Sequence, residues 1–179
     1  TGFRPGNLNG AQAFNRDIFT ANGFAQEAID RAASHLDYDG DELSNFEFGG
    51  KITLADGRVQ LVAALYRMEW DDMIQLTFDP LIPGVIQDFN DNVGEAHSQG
   101  LEYEITWMPR DRLTLRLAGD INEAETDSHN EGSPSAAPLT KGSPLIYSPD
   151  WSYAVSVDYG FDLGSAFEGR LRLDYHKQD

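Results

Sequence analysis

Glu102 and Glu104 lie two residues apart on one side of a predicted strand, in the run Gly100-Leu-Glu-Tyr-Glu-Ile-Thr-Trp-Met108. Paired carboxylates of this kind can serve as acid and base in hydrolysis when they flank a scissile bond. Strand spacing puts these two roughly 7 Å apart along one ladder, a separation that polar walls also show. Further charged residues share the polar sides of neighbouring strands: Lys51, Arg67, Glu69, Arg116 and Asp120. Together the set reads as a charged wall that contacts a ligand, with binding rather than bond-making as its chemistry. The plain alternative for each member is a solvated side chain or an ion pair within the wall.

The other chemistry-bearing residues do not converge. The four histidines, 35, 97, 129 and 176, are scattered. His129 stands near Glu125, Asp127 and Glu131, a set that could take a cation or simply form an acidic loop. Asp37-Tyr-Asp-Gly-Asp41 opens like a calcium loop, but the sixth and twelfth positions are Glu42 and Phe48 where an EF-hand needs Gly and Glu. No Ser-His-Asp set, phosphate loop or zinc spacing supports an enzyme, and no cofactor is expected. With no cysteine, disulfides, thiolate nucleophiles and Cys-ligated metals are excluded together. A net charge of −17 argues against nucleic acid as a partner.

The elements that must position this wall are strands. Leu101, Tyr103, Ile105 and Trp107 alternate with Glu102, Glu104 and Thr106. After a polar turn at Pro109–Arg112, Leu113, Leu115, Leu117, Gly119 and Ile121 alternate with Thr114, Arg116, Ala118, Asp120 and Asn122. Phe46, Phe48, Ile52 and Leu54 form a similar apolar side between Asn45 and Leu54, and Asp56-Gly57 supplies the positive φ of a tight hairpin. The next strand, from Val59 to about Trp70, has less distinct faces. Its charges, Arg67, Glu69 and Asp71, assign Val62, Ala64, Tyr66, Met68 and Trp70 outward. Asp150–Tyr159 and Arg170–His176 complete about six strands, joined by a turn at Gly160–Glu168.

Connection lengths then decide between two media for the apolar faces. Three connections are short and three are long: residues 1–44, which include a helical stretch at Ala25–His35, then 79–97 with Pro80, Pro83 and Gly84, and 125–148. In an up-and-down sheet, alternate connections share an end. All short turns therefore fall on one rim and all long loops on the other, as in outer-membrane barrels with short periplasmic turns and long extracellular loops. Trp107 and Tyr159 mark the short-turn rim, while Trp151, Tyr66 and Trp70 lie towards the long loops, as two aromatic belts would. A hydrophobic content of 40% agrees, because polar positions lining a lumen dilute hydropathy. No apolar run approaches the ~20 residues of a membrane helix. The rival readings are a soluble or surface β-rich binding module, lectin or lipocalin-like, and a passive porin.

Several stretches also resemble one family, the TonB-dependent outer-membrane receptors: Gly2-Phe-Arg-Pro-Gly6, Asn45-Phe-Glu-Phe-Gly-Gly-Lys51, Leu61-Val-Ala-Ala-Leu-Tyr66, Glu69-Trp-Asp-Asp72, Asn92-Val-Gly-Glu-Ala-His-Ser-Gln-Gly-Leu-Glu-Tyr-Glu104 and Ser148-Pro-Asp-Trp151. The resemblance is strongest over residues 45–179. It implies an all-β antiparallel transmembrane barrel of about 22 strands closed by an N-terminal plug, of which this sequence carries about six strands. It also implies gated import of a scarce, bulky solute, most often a ferric siderophore, otherwise cobalamin or a glycan. The implied partners are the lipid bilayer of the outer membrane, the plug and remaining strands of the same protein, and the TonB complex through a segment outside these residues. Both ends suggest a piece of a longer chain, and six strands are too few to close a barrel.

Overall fold

A computed structural model describes residues 1–9, 16–79, 89–130 and 140–179. In chain order the elements are β1 (Gly2–Arg4), β2 (Asn7–Leu8), α1 (Arg16–Ala21), α2 (Gln26–Ala33), β3 (Asp37–Tyr38), β4 (Asp41–Leu54), β5 (Val59–Asp71), β6 (Ile74–Thr77), β7 (Phe89–Asn92), β8 (Gly94–Arg110), β9 (Leu113–His129), β10 (Trp151–Leu163) and β11 (Phe167–Gln178). One seven-stranded sheet has the order β1-β4-β5-β8-β9-β10-β11, and β2-β3 and β6-β7 are two-stranded ribbons. The sheet is antiparallel, sequential and open, the all-β meander that the alternation predicts. By compactness the chain divides into residues 1–44, 68–97 and 125–145, and residues 45–67, 98–124 and 146–179.

The second of these units is a two-faced wall. Val157 pairs with Leu115 on one side and Leu173 on the other, Val155 with Leu117 and Tyr175, and Tyr159 with Leu113 and Leu171. Between them, Ser156 pairs with Arg116 and Asp174, and Asp158 with Thr114 and Arg172. In these central rungs the two-residue period carries the aliphatic and aromatic side chains to one face and the charges to the other. The apolar face is uncovered: Phe46, Phe48, Ile52, Leu54, Leu65, Leu171 and Leu173 are all at least half exposed. A soluble sheet would hide such a face against a second layer. Turns are tight, with Ala55, Asp56 and Gly57 all at positive φ and Arg58 N–H donating to the Ala55 carbonyl at 3.0 Å.

β5 corrects the predicted facing. Val62 and Ala64 line the same recess as Glu47, Glu102 and Asp120, and a Cβ on Gly49 would meet the Ala64 side chain at 3.0 Å. The small set therefore turns to the polar side, and Val59, Leu61, Ala63 and Leu65 form the apolar one. Tyr66 and Trp70 accordingly do not belong to an outer aromatic belt. The charges that suggested the opposite, Arg67, Glu69 and Asp71, follow the aliphatic run and say nothing about which medium that run meets. Aromatic contacts on the apolar face gather at its two ends: Trp151 on Tyr153 at 5.8 Å and Tyr153 on Tyr175 at 6.0 Å at one, Tyr159 on Phe161 at 6.0 Å at the other.

The first unit has its own small cores. Phe19, Ile29 and Ala32 cluster between the helices, with Phe24 against them. Met73, Val93 and Ala96 form a second cluster under Trp70 and Leu145. The opening residues, expected to be loop through 44, hold a strand that pairs with β4: Phe3 lies opposite Glu42. Helix α2 forms within the predicted Ala25–His35 stretch. Strands also run further than alternation suggested, β4 from Asp41, β8 from Gly94 and β9 to His129. These extensions lack the two-residue pattern because Ala96, Ala124 and Thr126 are buried among protein atoms. Gly94, at φ +144°, lets β8 approach β9 where a Cβ would fall 2.1 Å from the Ser128 carbonyl oxygen. Pro80, Pro83, Gly84 and Glu131, named in the sequence analysis, lie outside the described residues.

Candidate functional site

The polar face of the wall gathers most of the predicted residues. Strands β8 and β9 hold Glu102, Glu104 and Asp120 around a recess of about 470 Å³, completed by Glu47 from β4 and His176 from β11. Glu102 and Glu104 are exposed, and Asp120 is half-buried. The Ser152 hydroxyl donates to the Asp120 carboxylate from the neighbouring strand, where the two residues are register partners. Arg116 is exposed on the same face, opposite Ser156. No lysine or arginine lines the recess, so four carboxylates share it with one imidazole. Nearer the short turns the charges are paired: Arg170 with Asp158, Arg172 with Asp174, and Arg112 with Asp162 and Glu168.

Arg67 is elsewhere. Its guanidinium donates to Gln99 Oε1 at 2.7 Å, and Gln99 Nε2 donates to Glu123 at 2.6 Å. Gln99, Glu123 and Arg67 follow Leu101, Ile121 and Leu65 on the apolar face, one step nearer the long connections, and the period of β5 places Glu69 on that side too. The reading of Arg67 and Glu69 as partners of Glu102 is thereby corrected. They form a polar border to the apolar band.

Sequence reading missed the hub on the polar face. Asn122 Oδ1 accepts from the Tyr66 hydroxyl and from the Ser98 hydroxyl, each at 2.8 Å, while its Nδ2 donates to Ser148 Oγ at 2.7 Å and to the Pro149 carbonyl at 3.4 Å. The Tyr66 hydroxyl passes over Gly100, where a Cβ would be 2.7 Å away. The signal available was that Asn122 shares a parity with Asp120. Glu47 and His176 were likewise readable from the parity of Lys51 and Asp174.

In the first unit, several charged groups are tied into protein contacts. The buried Asp41 carboxylate accepts from Arg4, from Trp70 Nε1 at 2.8 Å and from the Ile74 N–H at 3.3 Å, and the guanidinium lies 5.4 Å over the Trp70 ring. Its hydrogen bonds to Arg4 are the main reason that its pKa falls to about 2, with burial opposing and Trp70 assisting. A calcium loop beginning at Asp37 would need that carboxylate. Asp127 pairs with His97 Nδ1 at 2.8 Å, and His129 Nδ1 faces the Val93 carbonyl at 3.1 Å, so these two described members of the suggested cation set face protein groups. Among the described residues no group of three or more His, Asp or Glu side chains is placed to hold a metal ion.

A wall with one lipid-compatible face and one charged face, strung on short turns and long connections, is shared with known proteins. The family described as TonB dependent receptor-like, beta-barrel, matches residues 1–179. The chain belongs to that family. The metal-pseudopaline receptor CntO of Pseudomonas aeruginosa is 28% identical over 127 residues, which cover 71% of this chain and 16% of CntO. Among solved structures, the ferric yersiniabactin uptake receptor FyuA of Yersinia pestis superposes with a TM-score of 0.50 at 18% identity, over 77% of this chain and 19% of FyuA. The siderophore receptor PiuA of Acinetobacter baumannii gives 0.52 at 21%, over 68% and 17%. These two likenesses speak for the fold. The chain spans 16% of the length of the curated relatives it matches. It is a stretch of outer-membrane barrel wall, an open antiparallel sheet here, and its family is one of receptors and transporters.

Proposed function

We propose that this stretch lines the path of an energised importer for a metal chelate of the siderophore class, with Glu102, Glu104, Arg116 and Asp120 contacting the solute or the parts of the receptor that admit it. The observation that carries the reading is the recess where Glu47, Glu102, Glu104 and Asp120 gather on the lumenal face while the opposite face stays apolar and exposed. Membership of the receptor family supports it, and so does the relative that is a metal-pseudopaline receptor. Four carboxylates without a lysine or arginine among them favour a neutral or cation-bearing chelate over a polyanionic one. The partners in this reading are the lipid bilayer, an N-terminal plug and the remaining barrel strands of the same protein, and the TonB complex reached through a segment outside this chain.

The test uses the whole receptor. Glu102→Gln with Glu104→Gln should weaken chelate binding, read by tryptophan fluorescence, by about tenfold, equivalent to about 1.4 kcal/mol. Arg67→Gln should leave it within twofold. Uptake of the radiolabelled metal chelate by cells should stop when the proton gradient is collapsed, which a passive pore would not show. Unchanged binding in the double variant would remove these residues from the path.

A further inference from the structure

Lys177 stands on the apolar face of the wall. It is the register partner of Tyr153, and the two-residue period puts it on the side of Val155, Val157, Leu173 and Tyr175. Its ammonium lies 5.6 Å from the centroid of the Trp151 ring. Trp151 stacks on Tyr153 at 5.8 Å, and Tyr153 meets Tyr175 at 6.0 Å, so the lysine belongs to a patch of three aromatic rings. The two strand ends are tied together there. The Trp151 N–H donates to Asp179 Oδ1, and the Asp179 N–H donates to the Trp151 carbonyl, each at 3.4 Å. Lys177 is exposed, and the carboxylates of Asp158, Asp162 and Asp174 on these strands pair with arginines instead.

Height in the membrane decides what that ammonium meets. Trp151 and Phe161, at the two aromatic ends of β10, are ten positions apart, which is roughly 33 Å along the strand. At the tilt of about 40° usual for outer-membrane strands, this becomes about 25 Å along the membrane normal, the height of an apolar band between its aromatic girdles. The Trp151 end therefore falls at a lipid–water boundary, and the long stem of Lys177 carries its charge to the headgroup level. An ammonium held over an indole ring beside two phenols complements an anionic headgroup: the cation supplies the charge and the rings a flat apolar support. A chain with a net charge of −17 repels such a group elsewhere, so the attraction is local to this patch.

We propose that Lys177, with Trp151, Tyr153 and Tyr175, holds a membrane lipid whose phosphate gives its headgroup a net negative charge, at the end of the wall nearer the long connections. The patch is on the face opposite the acidic recess, so it does not depend on what that recess binds.

Native mass spectrometry of the complete receptor tests the site, with phosphatidylglycerol titrated against phosphatidylcholine of the same acyl chains. The wild type should retain phosphatidylglycerol about fivefold more tightly, the effect of one basic residue at an anionic surface. Lys177→Gln should remove that preference, and Lys177→Arg should keep it. Lys177→Met retains the stem and suits an apolar surface; it serves if Lys177→Gln fails to show the heat-modifiable migration of a folded barrel. Lys141→Gln, an exposed lysine in the first unit, should leave the preference within twofold of wild type. Equal retention of the two lipids by the wild type would mean acyl-chain contact only and would overturn the site. A preference that survives loss of the Lys177 charge, or that falls equally in Lys141→Gln, would overturn it too.

Discussion

Replacing Asp41 with Asn would remove one negative charge and almost no volume from a position that is 2% exposed. The magnitude follows from what the carboxylate touches. Its pKa is held from 3.8 down to about 2, chiefly by its bonds to Arg4, which corresponds to about 2 kcal/mol in favour of the charged, folded form. Arg4 is itself 56% exposed, and its share is screened by solvent accordingly. Asn can still accept from Trp70 Nε1 and the Ile74 N–H but not as an anion. In the whole receptor, amide exchange in Gly2–Arg4 and at Ile74 should accelerate by about tenfold to thirtyfold in Asp41→Asn, since about 1.4 kcal/mol is a factor of ten. The sign with pH is fixed by the lowered value. Stability from Asp41 is present above the unfolded carboxyl range near pH 4 and is lost as pH falls towards about 2. The wild-type protection should therefore fall over that window and the variant's should not. Exchange within twofold of wild type near neutrality, or an identical acid profile in both proteins, would refute this account of the Arg4–Asp41–Trp70 cluster.

Other substitutions separate the faces of the wall. Val157→Lys, on the lipid side, should cost about 2–4 kcal/mol and impair folding into liposomes, followed by heat-modifiable migration. Ser156→Lys, one residue away on the lumenal side, should fold as wild type. Gly119→Ala would place a Cβ 2.5 Å from the Ser152 carbonyl oxygen and 2.7 Å from the Tyr103 hydroxyl, and should lower thermal stability in micelles by about 1–3 kcal/mol. Gly50→Ala has nothing within 4 Å and should not lower it. Asn122→Ala strands the hydroxyls of Tyr66 and Ser98 and frees Ser148 and Pro149, so exchange at residues 148–152 should rise by about tenfold while strand amides of β11 hold.

The wall was legible because a strand in contact with two media must alternate, and Leu113–Ile121 and Trp151–Tyr159 do so without interruption. The short turns were legible for a similarly local reason: Asp56-Gly57 accepts positive φ, and few other pairs do. Connection lengths then separated the two rims. From these local rules and the family motifs, the sequence by itself determined the fold class, the membrane setting and the common polar face of Glu102, Glu104, Arg116 and Asp120. It did not determine the facing of β5. There, both parities are apolar from Val59 to Leu65, and only the neighbouring strands decide that Val62, Ala64 and Tyr66 meet Glu47, Gly100 and Asn122. Nor could it bring Arg4 to Asp41, or His35 between Asp79 and Asp91. Those meetings join residues 37 to 56 positions apart by carboxylate, guanidinium and imidazole contacts, which leave no period in the sequence because they depend on where separate connections fold back in space.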